Sequence, residues 1–187
     1  MRKIILDLAV SLDGFIEGPH GETDWCVMPD AADPGTGSPF DRFLSGIDTI
    51  FYGRVSYDLW GQYQPDTGAS GEALKLWKGV HSKSKYVFTN TPTPDSDKAT
   101  YITSNIAESV QAIKNKPGKD IWLYGGASLI TTFINLGLID TYQLAVHPVL
   151  LVSGKPLFAN VKTRVGLTLN HVVSSKSGVI LLQYDAR

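Results

Sequence analysis

The chain has 187 residues, of which 43% are hydrophobic and 19% charged, and its formal net charge is −1. This length and composition predict a single globular domain that spans residues 1–187. The charge balance is not that of a nucleic-acid-coating protein, and no apolar run approaches the roughly 20 residues that cross a bilayer. We therefore expect neither a nucleic-acid partner nor a membrane partner.

The start of the chain and its metal-ligating residues bear on location and cofactors. No apolar signal segment follows the first three residues, so we expect a cytoplasmic protein. Cys26 is the only cysteine, which rules out a disulfide within the chain. The four histidines are scattered without the spacing of metal ligands, and we predict no metal site.

The first half of the chain predicts strands that alternate with helices. An apolar run forms the first strand, and Asp13 and Gly14 then turn the chain towards a short extended piece and a long loop. Ser38 followed by Pro39 is typical of a helix start. The predicted elements are a strand at 4–12, a loop at 19–37, a helix from 38, a strand at 49–52, a short helix at 54–60 and a helix at 72–80.

The second half continues this alternation and closes with a hairpin. Asn105 and Glu108 have the spacing of a capping box that opens a helix ending near Asn115. Strands are predicted at 85–89, 100–103, 120–125, 141–151, 167–174 and 179–184, with a helix after the third. This order predicts a three-layer αβα fold, in which a mixed, mostly parallel sheet ends in an antiparallel C-terminal hairpin.

Two glycine junctions stand out as candidate phosphate sites. Gly125 and Gly126 lie between an apolar strand and a helix, and Gly53 follows another apolar strand. A helix start offers unpaired backbone N–H groups, and glycine lets a phosphate approach them. A tight structural connection is the alternative at each junction. Two such junctions could hold both ends of one extended anion.

Several motifs, taken in order, resemble the dihydrofolate reductase-like superfamily, and most closely its riboflavin-biosynthesis reductase branch. They run from residues 8–16 (LAVSLDGFI) through 52–57 (YGRVSY), 86–90 (YVFTN) and 123–128 (LYGGAS) to 154–158 (GKPLF). The resemblance implies an enzyme that passes hydride from NADPH to a flat heterocycle or a ribosylamino-pyrimidine. It also implies a homodimer, with the strand near 141–151 as the candidate interface.

The resemblance assigns cofactor roles to matching positions. Residues bound to the phosphates would be Gly53, Arg54, Val55, Gly125, Gly126, Ala127, Ser128 and Leu129. Tyr124 precedes the diglycine and could face the core or the cofactor. Thr89 and Asn90 would lie near the adenosine, whereas Ala9, Val10 and Ile16 would line the nicotinamide. A guanidinium such as that of Arg54 can grip a 2′-phosphate, although a surface arginine at a helix start is the alternative.

Two carboxyls are candidates for the catalytic acid. Asp13 belongs to a motif that the riboflavin reductases share, where its acid lies beside the substrate, but an Asp-Gly pair also forms plain turns. Asp41 lies on the first helix, where dihydrofolate reductases carry the carboxylate that binds pterin. Its alternative role is to complement the positive end of the helix dipole.

Aromatic residues supply candidate walls for a flat ring. We select Trp25, Phe40 and Trp60 as substrate-binding candidates. Trp25 follows the loop that closes over the nicotinamide in the family that the chain resembles. A core position is the alternative for Phe40 and its neighbour Phe43.

Other functions have different signatures. A Rossmann dehydrogenase would need Gly-x-Gly-x-x-Gly after the first strand, and an NTPase would need a phosphate loop ending in Gly-Lys-Ser/Thr, and neither motif occurs. Dihydrofolate reductase proper and a non-catalytic binder of nucleotides or heterocycles stay open as alternatives, because a fold does not fix a function.

Overall fold

A computed structural model describes residues 1–27, 39–66, 68–91 and 98–187 of the chain. Contacts divide these residues into two compact units. The first holds Met1–Arg2 and the described part of Ala32–Gly126, and the second holds the described part of Lys3–Ala31 and all of Ala127–Arg187. Within the described ranges, no helix has both the length and the apolar character to cross a membrane. The prediction of a single domain stays a prediction.

The first unit is built from parallel strands and the helices that connect them. Its strands are β3 (Ile47–Gly53), β4 (Ser84–Phe88), β5 (Thr100–Ile102) and β6 (Asp120–Gly125). Its helices are α1 (Pro39–Ser45), α2 (Arg54–Ser56), which continues into a π-helical turn (Tyr57–Gly61), α3 (Gly71–His81) and α4 (Ile106–Lys114).

The four strands of this unit lie in the order β5-β4-β3-β6, and every pairing is parallel. Ile50, Phe51, Val87 and Leu123 are fully buried. Such continuous apolar runs are typical of strands that are covered on both faces.

The second unit carries the start and the end of the chain. Its elements are β1 (Ile4–Ser11), β2 (Phe15–Glu17), α5 (Ala127–Asn135), β7 (Thr141–His147), β8 (Lys155–Pro156), β9 (Leu167–Ser174) and β10 (Ile180–Ala186). The order β1-β7-β10-β9 joins one parallel pair to an antiparallel hairpin. The predicted mostly parallel pairing and closing hairpin are therefore confirmed.

Helix α5 packs as its sequence pattern predicts. Leu129, Ile130, Phe133 and Ile134 are buried. Gly137 ends the helix with a φ of +64°, a conformation that costs a residue with a Cβ more than it costs glycine. The amide of Leu138 then donates to the carbonyl of Phe133 over 3.0 Å, which satisfies a free carbonyl at the helix end.

Some local predictions are wrong. Asn105 has left-handed φ and ψ angles of 50° and 49° and makes no side-chain cap, so the capping box does not form. A cap side chain normally acts from an extended backbone. The strand predicted at 141–151 ends at His147, and the short strand β8 was not predicted. Ser38 and most of the predicted loop at 19–37 lie outside the described residues.

Candidate functional site

Three parallel strands of the first unit end side by side, and the predicted cofactor residues follow them. Phe88 of β4 lies opposite Gly53 of β3, and Tyr52 of β3 lies opposite Gly125 of β6. Neighbouring strands are about 4.8 Å apart. Three adjacent connections therefore begin at the carboxyl ends of these strands, with Thr89, Arg54 and Gly126. Ligands bind at this end of the strands in open α/β sheets.

The diglycine needs glycine for two separate reasons. Gly125 has a φ of +116°, which residues with a Cβ rarely adopt. At Gly126, a Cβ would lie 3.0 Å from the Oγ of Ser56, one turn beyond Gly53. The two predicted junctions are therefore neighbours, and the Ser56 side chain lies close to the backbone of Gly126.

Arg54 begins α2 beside this edge and has a defined position. Its Nε donates to Oδ2 of Asp58 over 2.7 Å, and its guanidinium carbon lies 5.7 Å from the centre of the Tyr101 ring. The hydrogen bond and the charge of Asp58 raise the pKa of Arg54. The next residue, Val55, is 69% exposed. The helix start thus presents a permanent positive charge and an uncovered apolar side chain together.

Aromatic rings pack around β6, the strand that leads into the diglycine. Tyr124 lies 5.0 Å from the Tyr52 ring and 5.1 Å from the Trp122 ring, centre to centre. Burial raises the pKa of Tyr52, so its hydroxyl stays neutral. Phe40 packs edge-on against Trp122 at 5.5 Å. Tyr124 and Phe40 are therefore half-buried members of a packed cluster, and their predicted ligand contacts stay predictions.

The other two candidates of the first unit lie in different surroundings. Trp60 belongs to a chain of rings with Tyr63 and Trp77, at centre distances of 6.0 and 4.8 Å, and remains 40% exposed. Asp41 lies in the first turn of α1, and its Oδ2 is 4.0 Å from Nζ of Lys75. The structure thus gives Asp41 a partly exposed ion-pair partner, while its predicted catalytic role is untested.

In the second unit, Asp13 organises a turn. Its carboxylate accepts hydrogen bonds from the Ser11 hydroxyl at 2.6 Å and from the amides of Leu151 and Val152 at 3.1 and 2.8 Å. The Ser11 bond is the largest cause of a lowered pKa, and the two amides add to it. These contacts favour the ionised form, which has no proton to give. The acid role of Asp13 stays a prediction that its contacts disfavour.

Trp25 packs on a buried histidine. Its ring meets that of His147 edge-on at 5.4 Å, and the amide of Val27 donates to Nδ1 of His147 over 3.2 Å. Burial lowers the pKa of His147, which keeps the imidazole neutral and Nδ1 available as an acceptor. The segment 25–27 is thereby held against the end of β7.

The remaining predicted residues of the second unit occupy β1, β2 and α5. Ala9 and Ile16 are half-buried, whereas the side chain of Val10 is only 4% exposed and belongs to the core. Ala127 and Ser128 form the first turn of α5, and Leu129 is buried. Their predicted roles towards a nicotinamide or a phosphate stay predictions.

Sequence reasoning missed residues whose importance depends on long-range neighbours. Ser56 faces Gly126, and Asp58 holds Arg54 from four residues away. Asp7, on β1, accepts a 2.7 Å hydrogen bond from Nε2 of Gln143, and burial raises its pKa to about 7. Only the spacing of Arg54 and Asp58, typical of a helical ion pair, could have been read from the sequence.

Comparisons with known proteins agree on the family and the fold. A family model described as the RibD C-terminal domain matches residues 2–181. The uncharacterized protein YyaP of Bacillus subtilis (strain 168) is 56% identical over 183 residues, which cover 98% of this chain and 94% of YyaP.

Solved structures extend the similarity at the level of fold. A putative riboflavin biosynthesis protein from Shewanella sp. PV-4 has a TM-score of 0.77 at 22% identity, covering 100% of this chain and 99% of its own. The dihydrofolate reductase of Enterococcus faecalis complexed with NADP(H) has a TM-score of 0.59 at 16% identity, covering 99% and 96%. The dihydrofolate reductase-like α/β fold is thus confirmed, and the chain belongs to the RibD C-terminal domain family.

Proposed function

We propose that the chain is an NADPH-dependent reductase that delivers hydride to a flat heterocyclic or ribosylamino-pyrimidine substrate. One observation carries the proposal, namely that the connections after β4, β3 and β6 start side by side, with Gly126 close to Ser56. Membership of the RibD C-terminal domain family supports a reductase. The Enterococcus faecalis reductase, which shares the fold, is described in complex with NADP(H).

The residues at this edge fit a dinucleotide diphosphate. A Cβ at Gly126 would lie 3.0 Å from the Ser56 hydroxyl, and the lack of one supports a close approach of an anion to the backbone there. Arg54 adds a fixed positive charge at the same edge and can bind a phosphate through two parallel N–H bonds. These features bind and orient, and NADPH itself supplies the hydride.

The specificity of Arg54 follows from its partners. A 2′-phosphate carries more charge than the exposed Asp58 carboxylate, and it can replace that carboxylate as the partner of the guanidinium. Tyr101 meanwhile supports the guanidinium from one side at 5.7 Å. These contacts support a role for Arg54 in recognising the group that distinguishes NADPH from NADH.

One experiment distinguishes the proposed function from the two alternative functions. The purified protein is titrated with NADPH while its tryptophan fluorescence is followed, and NADPH oxidation is then recorded with pterins and aminopyrimidines. The proposal expects quenching by NADPH and oxidation with a ribosylaminopyrimidine. Oxidation with dihydrofolate alone would indicate dihydrofolate reductase proper, and binding without oxidation would indicate a non-catalytic binder. Absence of NADPH binding would contradict the proposal.

We further propose a homodimer, as the family resemblance implies. The segment 141–151 is flanked within the second unit by β1 and β10, so its exposed part is the bend that contains Leu150, which is 63% exposed. Light scattering during gel filtration would report the mass in solution. A monomer at micromolar concentration would contradict the proposal, and loss of the dimer in Leu150→Asp would locate its interface.

A further inference from the structure

One face of β1 and β7 combines two small residues with polar groups at both ends. Side chains alternate along a strand, so Asp7, Ala9 and Ser11 share a face of β1. Their direct partners on β7 are Gln143, Ala145 and His147 in the same order, without a bulge. Residues directly opposite each other lie on the same face. The face therefore has a polar pair, an alanine pair and a second polar pair.

The alanine pair leaves a flat floor between taller side chains. Ala9 and Ala145 are half-buried, and neither side chain extends beyond Cβ. Ser11 and His147 border one end of the floor, where Trp25 packs against the His147 ring. Asp7 and Gln143 border the other end, and Leu181 of β10 lies opposite Ala145 at the side. A floor of this shape suits one face of a planar ring.

Asp7 differs in chemistry from the other carboxyls considered. Burial is the main cause that raises its pKa to about 7, and the hydrogen bond from Gln143 opposes this shift. Near neutral pH the carboxyl therefore exists in both forms, as a proton donor requires. On this face of β7, β9 and β10 the other ionisable groups are His147, His171 on β9, and Asp185 on β10, which Lys3 approaches to 4.0 Å.

We propose that Asp7 binds the nitrogen edge of a heterocycle lying on Ala9 and Ala145, and that it gives the proton that accompanies reduction. This inference rests on the proposed reductase function and deepens it. In the step, the substrate C=N bond gains hydride at carbon and the Asp7 proton at nitrogen, while NADPH becomes NADP⁺. The Asp7 carboxylate then takes a new proton from water.

The surroundings of Asp7 differ from those of Asp13, the sequence candidate in the same unit. The Asp13 carboxylate is occupied by Ser11 and two backbone amides, and its pKa is lowered. Nε2 of Gln143 donates to Oδ1 of Asp7 over 2.7 Å and thereby orients the carboxyl. Ala9, which the family resemblance places against the nicotinamide, is the next residue on the same face.

The test compares the wild type with Asp7→Asn, which keeps the shape and an oxygen for Gln143 but has no acidic proton. Asp66→Asn, at an exposed position of the first unit, is the matched control. We measure NADPH affinity, the affinity of pterin and 5,6-diaminouracil across pH, and NADPH oxidation with pterin, whose ring has a reducible C=N bond. The expected result is unchanged NADPH affinity, at least about tenfold weaker heterocycle binding, and a rate lowered by about 100-fold or more.

Failures of the two proposals are distinguishable. Equal heterocycle affinity and equal pH dependence in wild type and Asp7→Asn would overturn the role of Asp7 while the wild-type rate upholds the reductase. If the wild type bound the heterocycles through Asp7 but oxidised no NADPH, the binding role would hold, and both the reductase and the proton transfer would fail. If neither probe bound the wild type, the inference about Asp7 would be overturned.

Discussion

Replacing Asp7 by Asn should change how the stability of the protein depends on pH. The fold raises the pKa of Asp7 from 3.8 to about 7, so the folded state favours the protonated carboxyl. Its contribution to stability is complete below the unfolded pKa and is lost as pH rises through the folded pKa. Asn does not ionise, and its side-chain oxygen can still accept from Gln143.

The expected magnitude follows from the size of this shift. A change of roughly three pKa units corresponds to about 4 kcal/mol in total, because each unit is worth about 1.4 kcal/mol. Part of this stabilisation is already lost at about pH 5. The remainder, about 3 kcal/mol, is lost between about pH 5 and about pH 8.5. Over the same pH interval, the free energy of unfolding of Asp7→Asn should rise by this amount relative to that of the wild type.

Urea unfolding at several pH values, followed by circular dichroism, measures the effect. The free energy of unfolding is extrapolated to water for the wild type, Asp7→Asn and the exposed control Asp66→Asn. The difference between Asp7→Asn and the wild type should widen steadily as pH rises, while the control stays parallel to the wild type. A difference that does not change with pH would refute the raised pKa and the burial that causes it.

Four further substitutions test the remaining features. Gly126→Val should abolish NADPH binding in a folded protein, because its side chain would enter the space beside Ser56; unchanged affinity by fluorescence titration would remove the diglycine from the site. Arg54→Ala should reduce the preference for NADPH over NADH, and Asp58→Asn should increase that preference by releasing Arg54. An equal ratio of NADPH affinity to NADH affinity in the wild type and both variants would show that Arg54 does not bind the 2′-phosphate. Asp13→Ala should lower the melting temperature by removing the acceptor of two loop amides, and an unchanged value would contradict that structural role.

Local signals predicted the elements and the two glycine junctions. Gly53 and Gly125 each follow an apolar strand, and this pattern depends only on neighbours in the sequence. The buried stripe of α5 and its end at Gly137 were predictable for the same reason. The order of the strands, which makes the junctions neighbours, depends on long-range pairing and does not follow from this pattern.

Features that depend on distant partners were not predictable. The pKa of Asp7 is set by burial and by Gln143, which is 136 residues away. Two of the three hydrogen bonds of Asp13 require the bend at 151–152, so the sequence shows only an Asp-Gly turn. Asn105 has a suitable residue type for a cap, but its left-handed backbone prevents the bond. Composition and spacing carry no information on these tertiary effects.

The central claim is that the glycine junctions after β3 and β6 hold one dinucleotide diphosphate between them. A crystal structure of the protein with NADPH tests it most directly. We expect the diphosphate within hydrogen-bond distance of the backbone amides that follow Gly53 and Gly125, with Arg54 turned from Asp58 to the 2′-phosphate. A diphosphate bound elsewhere, with the space between Gly126 and Ser56 unchanged, would contradict the claim.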